Sequence, residues 1–325
     1  MNEQLIKVEN LKKYFPIKAG VFSGTSAFVK AVDDISFSVG KGETYGLVGE
    51  SGSGKSTTGR VILRLLQPTS GRIFFRGLEI SALDSGKLHA LRKEMQIIFQ
   101  DPYSSLNPRM TIGEAIAEGL AAHGLLQGKK QEVVGDILET CGLSAYHYSR
   151  YPHEFSGGQR QRIVIARALA LSPSFVVADE PVSALDVSIQ AQIINLLKNL
   201  QERFQLTFLF ISHDLGVVKH VSDYIGVMYL GTLVEEAPKK DFYARCFHPY
   251  SKALLSAVPV ADPAAKKQRL VLQGQIPSPA NPPPGCRFHT RCPYVMAVCK
   301  ETTPLLQTIA PGHRAACHLA GLKSI

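Results

Sequence analysis

The residues best suited to chemistry form a glycine-rich stretch near the start of the chain. Residues 49–57 read GESGSGKST and match the phosphate-binding pattern G-x-x-x-x-G-K-[ST]. An apolar run precedes this phosphate-binding loop, and a helical pattern at residues 57–66 follows it. A strand that turns through glycines into a helix aims backbone N–H groups and the positive helix end at one small volume. The stretch therefore predicts a site for a nucleoside triphosphate.

The side chains of the phosphate-binding loop suggest separate roles. Lys55 is expected to reach the terminal phosphates, and the Ser56 hydroxyl to hold Mg²⁺. Glycine at positions 52 and 54 admits backbone angles and close approaches that a Cβ would block. The loop residues predicted to contact the nucleotide are Gly49, Ser51, Gly52, Ser53, Gly54, Lys55, Ser56 and Thr57.

Acidic and basic side chains follow two further apolar runs. Asp179 ends one run and would take Mg²⁺ directly or through water, sharing the ion with Ser56. Its neighbour Glu180 is then the candidate activator of the attacking water, since metal neutralises one carboxylate and leaves the other to accept a proton. Capping of the next helix is the alternative role for this pair. His213 follows another apolar strand and is expected to face the γ-phosphate from the same sheet edge, and a structural role is its alternative.

The apolar pattern predicts an α/β fold with a mostly parallel sheet that would position these side chains. Strands are predicted at residues 175–178, 206–211 and 224–228, with helices at residues 158–171 and 188–204 between them. Strands that alternate with helices form parallel sheets. Two earlier alternating runs, residues 5–11 and 29–39, are expected to be antiparallel.

Two parts of the chain depart from this alternation. Helical spacing at residues 112–122 and 129–141, with no strand pattern between, predicts an inserted helical subdomain. From about residue 246 the chain is rich in proline, and four of its six cysteines fall in the last 40 residues. This part is expected to be a separate extension with few regular elements.

Composition limits the class of protein. A chain of 325 residues with 45% hydrophobic and 19% charged residues can bury a large core, in more than one domain. It has no apolar run of about 18 residues and no signal-peptide pattern at its start, so it is expected to be cytoplasmic. The net charge of +9 suits nucleic acid, anionic lipid or nucleotide and does not choose among them.

Further motifs complete a recognisable set beside the phosphate-binding loop. They are Gln100, Phe155-Ser156-Gly157-Gly158-Gln159, Val176-Val177-Ala178-Asp179-Glu180, Ser183-Ala184-Leu185-Asp186 and Ile211-Ser212-His213-Asp214. In this order and spacing, they resemble the complete motif set of an ABC-type ATPase over roughly residues 1–245. The resemblance implies a P-loop NTPase core with an antiparallel β subdomain, ATP and Mg²⁺ as ligands, and ATP hydrolysis as the activity.

The resemblance also assigns roles. The signature Ser156, Gly157, Gly158 and Gln159 would close over ATP held by a partner's phosphate-binding loop, so function would require a dimer. Asp186 would also contact nucleotide. Gln100 would touch the metal and the attacking water, coupling hydrolysis to the membrane partner. An ordinary surface position is its alternative. His213 would be the switch histidine.

The family places an aromatic residue after the first strand to stack on adenine. Phe15 is the candidate in this chain, and Tyr14 is the close rival. Core packing is the other role open to Phe15.

The flanking sequence resembles one group of transporters. Residues 100–109, 248–250 and 253–255 look like those of ATPases from dipeptide, oligopeptide and nickel importers. The resemblance implies an ATPase core at residues 1–99 and 157–245, a helical subdomain at residues 100–156 and an importer-type extension at residues 246–325. The implied function is ATP hydrolysis that powers import of dipeptides or oligopeptides.

The implied partners are a second, related but nonidentical ATPase subunit, two permeases and indirectly an extracytoplasmic peptide-binding protein, with no nucleic acid. The implied place is the cytoplasmic face of the cell membrane. An importer ATPase for nickel or another solute, a soluble ABC ATPase without a transport role and a regulatory binding module are the alternatives.

The cysteines of the extension, Cys286, Cys292, Cys299 and Cys317, have the spacing C-x5-C-x6-C-x17-C. Thiolates in a proline-rich segment could bind zinc or an iron–sulfur cluster, or remain free or redox-linked. The segment resembles peptide-importer extensions associated with a [4Fe-4S] cluster, which is the expected group, and Zn²⁺ is the alternative. Other ligands could come from His289, His313 and His318. Cys141 and Cys246 are expected to be structural.

Overall fold

A computed structural model of the chain describes residues 3–18, 25–126, 128, 130–259 and 270–320. Its strands are β1 (Gln4–Lys18), β2 (Thr25–Gly40), β3 (Thr44–Val48), β4 (Ser70–Phe75), β5 (Leu78–Glu79), β6 (Met95–Ile98), β7 (Phe175–Asp179), β8 (Thr207–Ser212), β9 (Tyr224–Tyr229), β10 (Thr232–Pro238), β11 (Gln307–Ala310) and β12 (His313–Ala315). Its α-helices are α1 (Lys55–Ile62), α2 (Ser85–Arg92), α3 (Ile112–Ala122), α4 (Lys130–Thr140), α5 (Gly157–Leu169), α6 (Val187–Phe204), α7 (Leu215–Val221), α8 (Lys239–Ala244), α9 (Pro249–Ala257) and α10 (Ala297–Glu301).

The described residues fall into two compact units. The first unit combines those within Met1–Leu5, Gly40–Glu43 and Ala82–Ile211. The second combines those within Ile6–Val39, Thr44–Ser81 and Ser212–Ile325. The phosphate-binding loop and the four cysteines of the extension therefore belong to the second unit, whereas the signature and the carboxylate pair belong to the first.

The first unit is built around three parallel strands. Strand β7 lies between β6 and β8, with Met95 opposite Phe175 and Asp179 opposite Ile211. Every residue of β7 and β8 is buried, as expected for strands covered on both faces. Helices α3, α4 and α5 pack against one another. This arrangement ends β7 with a carboxylate and leads directly into Glu180.

The second unit contains an antiparallel sheet and a mixed set of strands. In the antiparallel sheet the order is β2-β1-β4-β5. Elsewhere β3 and β9 run parallel, β10 is antiparallel to β9, and β12 joins β10 to β11. The C-terminal extension thus contributes strands as well as α10, which is more regular structure than its proline-rich sequence predicts.

The predicted antiparallel strands and βα alternation are confirmed, and the main difference is at α1. This helix begins at Lys55 and ends at Ile62, instead of spanning residues 57–66. It stops because Arg64 takes a left-handed φ of 55° and the Leu65 N–H donates to the Arg60 carbonyl. In the described part of residues 100–155 the structure contains helices and no strand, as predicted.

Across the described ranges, the structure contains no helix with both the length and the apolar character needed to span a bilayer.

Candidate nucleotide-binding and hydrolysis site

The phosphate-binding loop connects a buried strand to a helix through a turn that requires glycine. All of β3 is buried, and α1 begins at Lys55. Gly54 has φ of 104°, and a Cβ at this position would lie 2.0 Å from the carbonyl oxygen of Ala31. Only glycine allows both this positive φ and this close approach of Ala31 without a shift of the backbone. The same residue accepts the first helical hydrogen bond, from Thr58 N–H at 2.9 Å.

Lys55 places a positive charge inside the loop. Its ammonium donates to the carbonyl oxygens of Gly49, at 2.7 Å, and Glu50, at 3.0 Å. The side chain is buried, whereas Ser51 and Gly52 are exposed and nothing lies within 4 Å of a Cβ at position 52. A curved backbone around a buried cation fits a phosphate chain. Ser53 is buried, and Ser56 and Thr57, in the first turn of α1, are half-buried.

The two aromatic candidates for adenine stacking differ in their contacts. The Tyr14 hydroxyl donates a hydrogen bond to Asp33 Oδ1, and burial together with this bond raises the pKa of Tyr14 to about 12. Side chains of successive strand residues point to opposite faces, so Phe15 lies on the other face of β1. The Phe15 ring is half-buried, with Lys13 Nζ 5.0 Å from its centroid. Phe15 stays our prediction for the adenine contact.

Glu180 has an unusual backbone conformation at the end of β7. Its φ is 49°, in the left-handed region that non-glycine residues rarely adopt, and its N–H donates to the carbonyl of Ile211 at 3.0 Å. Such conformations cost on the order of 1–3 kcal/mol and cluster at functional sites. The structure brings Gln100 to this carboxylate, with Gln100 Nε2 donating to Glu180 Oε2 at 3.1 Å. Asp179, immediately before, is only 1% exposed.

The signature forms the exposed N-terminus of α5. Ser156 is the N-cap, and it exchanges hydrogen bonds with Gln159: its hydroxyl accepts from Gln159 N–H and its own N–H donates to Gln159 Oε1. Gly158 allows close packing, since a Cβ there would lie 2.6 Å from Ile189 Cγ2. Asp186, also exposed, is the N-cap of α6.

His213 lies in the second unit, directly after β8. It is exposed, and the following Asp214 caps α7 by accepting from Gly216 N–H at 2.7 Å. This cap fixes the start of α7 at Leu215, so His213 lies in the short connection between β8 and α7. The role of His213 stays a prediction.

The sequence does not predict two residues that contact the phosphate-binding loop at Glu50, namely Tyr250 and Arg291. Glu50 donates its N–H to the hydroxyl of Tyr250 at 2.8 Å, and its carboxylate pairs with Arg291. In the sequence, Tyr250 contributes only to the resemblance to importer ATPases. Arg291 lies directly before Cys292, in a segment whose spacing suggests metal ligands and gives no sign of an ion pair. Contacts between residues 200 or more positions apart leave no local pattern.

The four cysteines of the extension lie near one another in the second unit. They are free thiols, and the N–H of Cys286 donates to the carbonyl of Cys299 at 2.8 Å. Burial raises the pKa of Cys286 to about 11, with smaller contributions from nearby Cys299, Cys317 and Cys292. Within the described ranges, no three His, Cys, Asp or Glu side chains converge on a position for one metal ion.

The histidines considered as substitute ligands already have other contacts. His313 Nε2 lies 2.7 Å from Glu235 Oε1, His289 Nδ1 lies 2.9 Å from the carbonyl of Cys286, and His318 Nε2 lies 2.9 Å from that of Thr302. Cys141 and Cys246 are buried, as expected for structural residues.

Comparison with known proteins identifies the family. A family model described as "ABC transporter" matches residues 32–183, and one described as "Oligopeptide/dipeptide transporter, C-terminal region" matches residues 234–299. The "Oligopeptide transport ATP-binding protein AppF" of Bacillus subtilis is 54% identical over 321 residues, 98% of each chain. This chain belongs to the ATP-binding proteins of ABC transporters. Hydrolysis of ATP is therefore its activity.

Solved structures of related ABC ATPases confirm the α/β P-loop NTPase fold. The ATP-binding cassette MJ0796, a dimer in a post-hydrolysis state bound to ADP and Pi, matches with a TM-score of 0.63 and 28% identity, covering 72% of this chain and 98% of its own. The cbiO1 protein of Clostridium perfringens matches with a TM-score of 0.64 and 26% identity, covering 75% and 92%.

Proposed function

We propose that this ABC ATPase powers the import of dipeptides or oligopeptides across a membrane. The observation that carries the proposal is the match of residues 234–299 to the C-terminal region of oligopeptide and dipeptide transporters, together with the similarity to AppF along the whole chain. The residues of that region are integrated into the ATPase, because β10 pairs with β9 and Tyr250 bonds to the phosphate-binding loop. Peptide specificity then resides in other subunits.

The catalytic roles follow from the chemistry of the side chains. Ser56 and Asp179 would hold Mg²⁺, which neutralises charge on the phosphates when bound. Glu180 would accept a proton from the attacking water. Gln100, which donates a hydrogen bond to that carboxylate, would touch the metal and the attacking water. Lys55 would exchange its two carbonyl partners for terminal phosphate oxygens. His213 would contact the γ-phosphate.

Partners follow from the position of the signature. Ser156 and Gln159 are exposed at a helix start, available to an anion held by another subunit, so we propose closure against a second, related but nonidentical ATPase. Two permeases would bind the helical subdomain of residues 100–156, between the two core segments 1–99 and 157–245. The ATPase would lie on the cytoplasmic face of the membrane and depend indirectly on an extracytoplasmic peptide-binding protein.

We propose that Cys286, Cys292, Cys299 and Cys317 ligate a [4Fe-4S] cluster. Burial raises the pKa of Cys286, Cys292 and Cys317, and neighbouring cysteines contribute to each shift, which supports their proximity. The four side chains do not converge as the ligands of a single zinc ion would. In a [4Fe-4S] cluster each cysteine binds a different iron, so the four sulfurs need not converge on one centre. The cluster would stabilise a segment, within 246–325, that has little apolar core.

Purification from membranes and peptide transport would test the function. Affinity purification of the full chain is expected to recover two permeases and a second ATPase. Vesicles that contain ATP in the lumen and are reconstituted with that complex, with its peptide-binding protein outside, should accumulate labelled di- or oligopeptide, and vesicles with a Glu180→Gln complex should not. Accumulation of nickel without peptide, or recovery without permeases, would overturn the proposal.

A further inference from the structure

Arg291, in the C-terminal extension, forms a bidentate ion pair with the phosphate-binding loop. Its Nη1 lies 2.6 Å from Glu50 Oε2, and its Nη2 lies 3.0 Å from Glu50 Oε1. The arginine is 9% exposed. Two parallel charge-assisted hydrogen bonds fix direction as well as distance, which a single contact does not. The second residue of the loop is therefore held from outside the ATPase motifs.

A second residue of the C-terminal region holds the backbone at the same position. The buried Tyr250 hydroxyl accepts from the Glu50 N–H at 2.8 Å. Its ring packs against those of Tyr229, at 4.8 Å between centroids, and Phe288, at 5.4 Å. Phe288 lies three residues before Arg291, so one short turn supplies both the packing and the ion pair.

Glu50 connects these contacts to the lysine that meets the nucleotide. Its carbonyl oxygen accepts from Lys55 Nζ at 3.0 Å, while its carboxylate and N–H bind Arg291 and Tyr250. All the polar groups of Glu50 are thus used. Loss of Arg291 would leave a half-buried carboxylate without this partner, beside the loop that must receive a triphosphate.

The two arginines of this turn each adjoin a cysteine. Arg287, next to Cys286, binds Asp33, which also accepts a hydrogen bond from the Tyr14 hydroxyl. Arg291 is followed by Cys292. Backbone bonds from His289 to Cys286, at 2.9 Å, and from Arg291 to Phe288, at 3.0 Å, close the turn. A group that fixes the cysteines would therefore fix both arginines.

We propose that Arg291 is a positioning residue for the phosphate-binding loop, and that through it the state of the four cysteines and the affinity for ATP are coupled. The coupling rests on the proposed [4Fe-4S] cluster at the four cysteines, whereas the positioning role does not. Because such coupling is reciprocal, whatever orders the cysteines tightens ATP binding, and ATP stabilises the group on the cysteines by the same factor.

The positioning role is tested by ATP binding and hydrolysis in the assembled complex. Arg291→Gln is expected to raise Kd and KM for ATP by about tenfold, with a much smaller change in kcat, because it removes one charge-assisted pair from the binding loop. Arg291→Lys should recover part of the affinity. Arg245→Gln, a change at an exposed arginine of the same region, is the matched control.

A double-mutant cycle separates this role from a general loss of stability. If Arg291 acts through Glu50, the double variant Glu50→Gln/Arg291→Gln should bind ATP with the same affinity as whichever single variant binds ATP more weakly. Additive losses, or an Arg291→Gln affinity equal to that of Arg245→Gln, would overturn the positioning role. Melting temperatures of all variants identify any that fail to fold.

The coupling is tested by removing the group from the cysteines. Anaerobic treatment of the wild-type complex with an iron chelator should weaken binding of a non-hydrolysable ATP analogue, and that analogue with Mg²⁺ should slow iron loss. Arg291→Gln should show neither effect while binding the same iron and sulfide. Equal analogue affinity before and after chelation would overturn the coupling. Purified protein without iron, sulfide or zinc would overturn both the coupling and the proposed cluster, while leaving the affinity test of Arg291 intact.

Discussion

The amide of Gln100 donates a hydrogen bond of 3.1 Å to the carboxylate of Glu180. Glu180 is thus held at two points, since its N–H also donates to the carbonyl of Ile211 on β8. The backbone contact is part of the buried strands, whereas Gln100 is exposed at the start of the helical insertion. A movement of the residues around Gln100 would therefore reorient the carboxylate without disturbing the sheet, and we propose this as the route that couples hydrolysis to the membrane partner.

Glu180→Gln should abolish turnover and preserve ATP binding. The amide is nearly isosteric with the carboxylate and cannot accept a proton from water, so kcat should fall by at least about 100-fold. Steady-state ATPase assays of the complex and equilibrium binding of ATP measure the two effects. Glu202→Gln, at an exposed position of α6, is the control. Substantial hydrolysis by the Glu180→Gln complex would show that another group activates the water.

Ser156→Arg should prevent ATP-driven association of ATPase subunits while leaving nucleotide affinity of the isolated chain largely unchanged. A long cation would fill the exposed surface at the start of α5, where we expect the partner's ATP to bind. Light scattering of the Glu180→Gln variant with ATP, mixed with its partner subunit, would measure association.

The same substitution also removes an N-cap, which costs about 1 kcal/mol. Thr111→Ala removes the comparable cap of α3 and is the control for that loss. Normal ATP-driven association of Ser156→Arg would exclude the signature from the subunit interface.

The sequence predicts the elements carrying the motifs because their signals are local. Continuous apolar runs define β7 and β8, and the glycines and Lys55 define the turn into α1. The contacts of Glu50 with Tyr250 and Arg291 could not be predicted, since they depend on how a distant proline-rich segment folds. Likewise, the period of the strand places Tyr14 and Phe15 on opposite faces of β1 but does not say which of them faces the nucleotide. The hydrogen bond from Tyr14 to Asp33, which the structure shows, separates their roles.

Phe15→Ala and Tyr14→Phe should have different consequences. If Phe15 stacks on adenine, its loss should weaken ATP binding by about tenfold, since base stacking on an aromatic ring contributes about 1–3 kcal/mol. Tyr14→Phe removes the hydrogen bond to Asp33 and should lower the free energy of unfolding by about 1 kcal/mol, with little change in ATP affinity. Phe15→Tyr should bind ATP normally. Isothermal titration and thermal unfolding distinguish the roles, and the reverse pattern would assign the adenine contact to Tyr14.

Acidification should destabilise the protein through His248. This residue is 1% exposed, and its Nδ1 accepts from the Tyr250 N–H at 3.1 Å, which requires a neutral ring. Burial lowers the pKa of His248 to about 4, although nearby Glu235, which His313 also contacts, opposes the shift. The unfolded chain, with a histidine pKa of about 6.5, binds the proton more readily. The contribution of His248 is therefore complete above pH 6.5 and is lost as the pH falls toward 4, by roughly 3 kcal/mol in total.

The free energy of unfolding should fall less steeply over this range in His248→Gln than in the wild type or in His220→Gln, a change at an exposed histidine. Equal slopes in all three proteins would contradict the assignment.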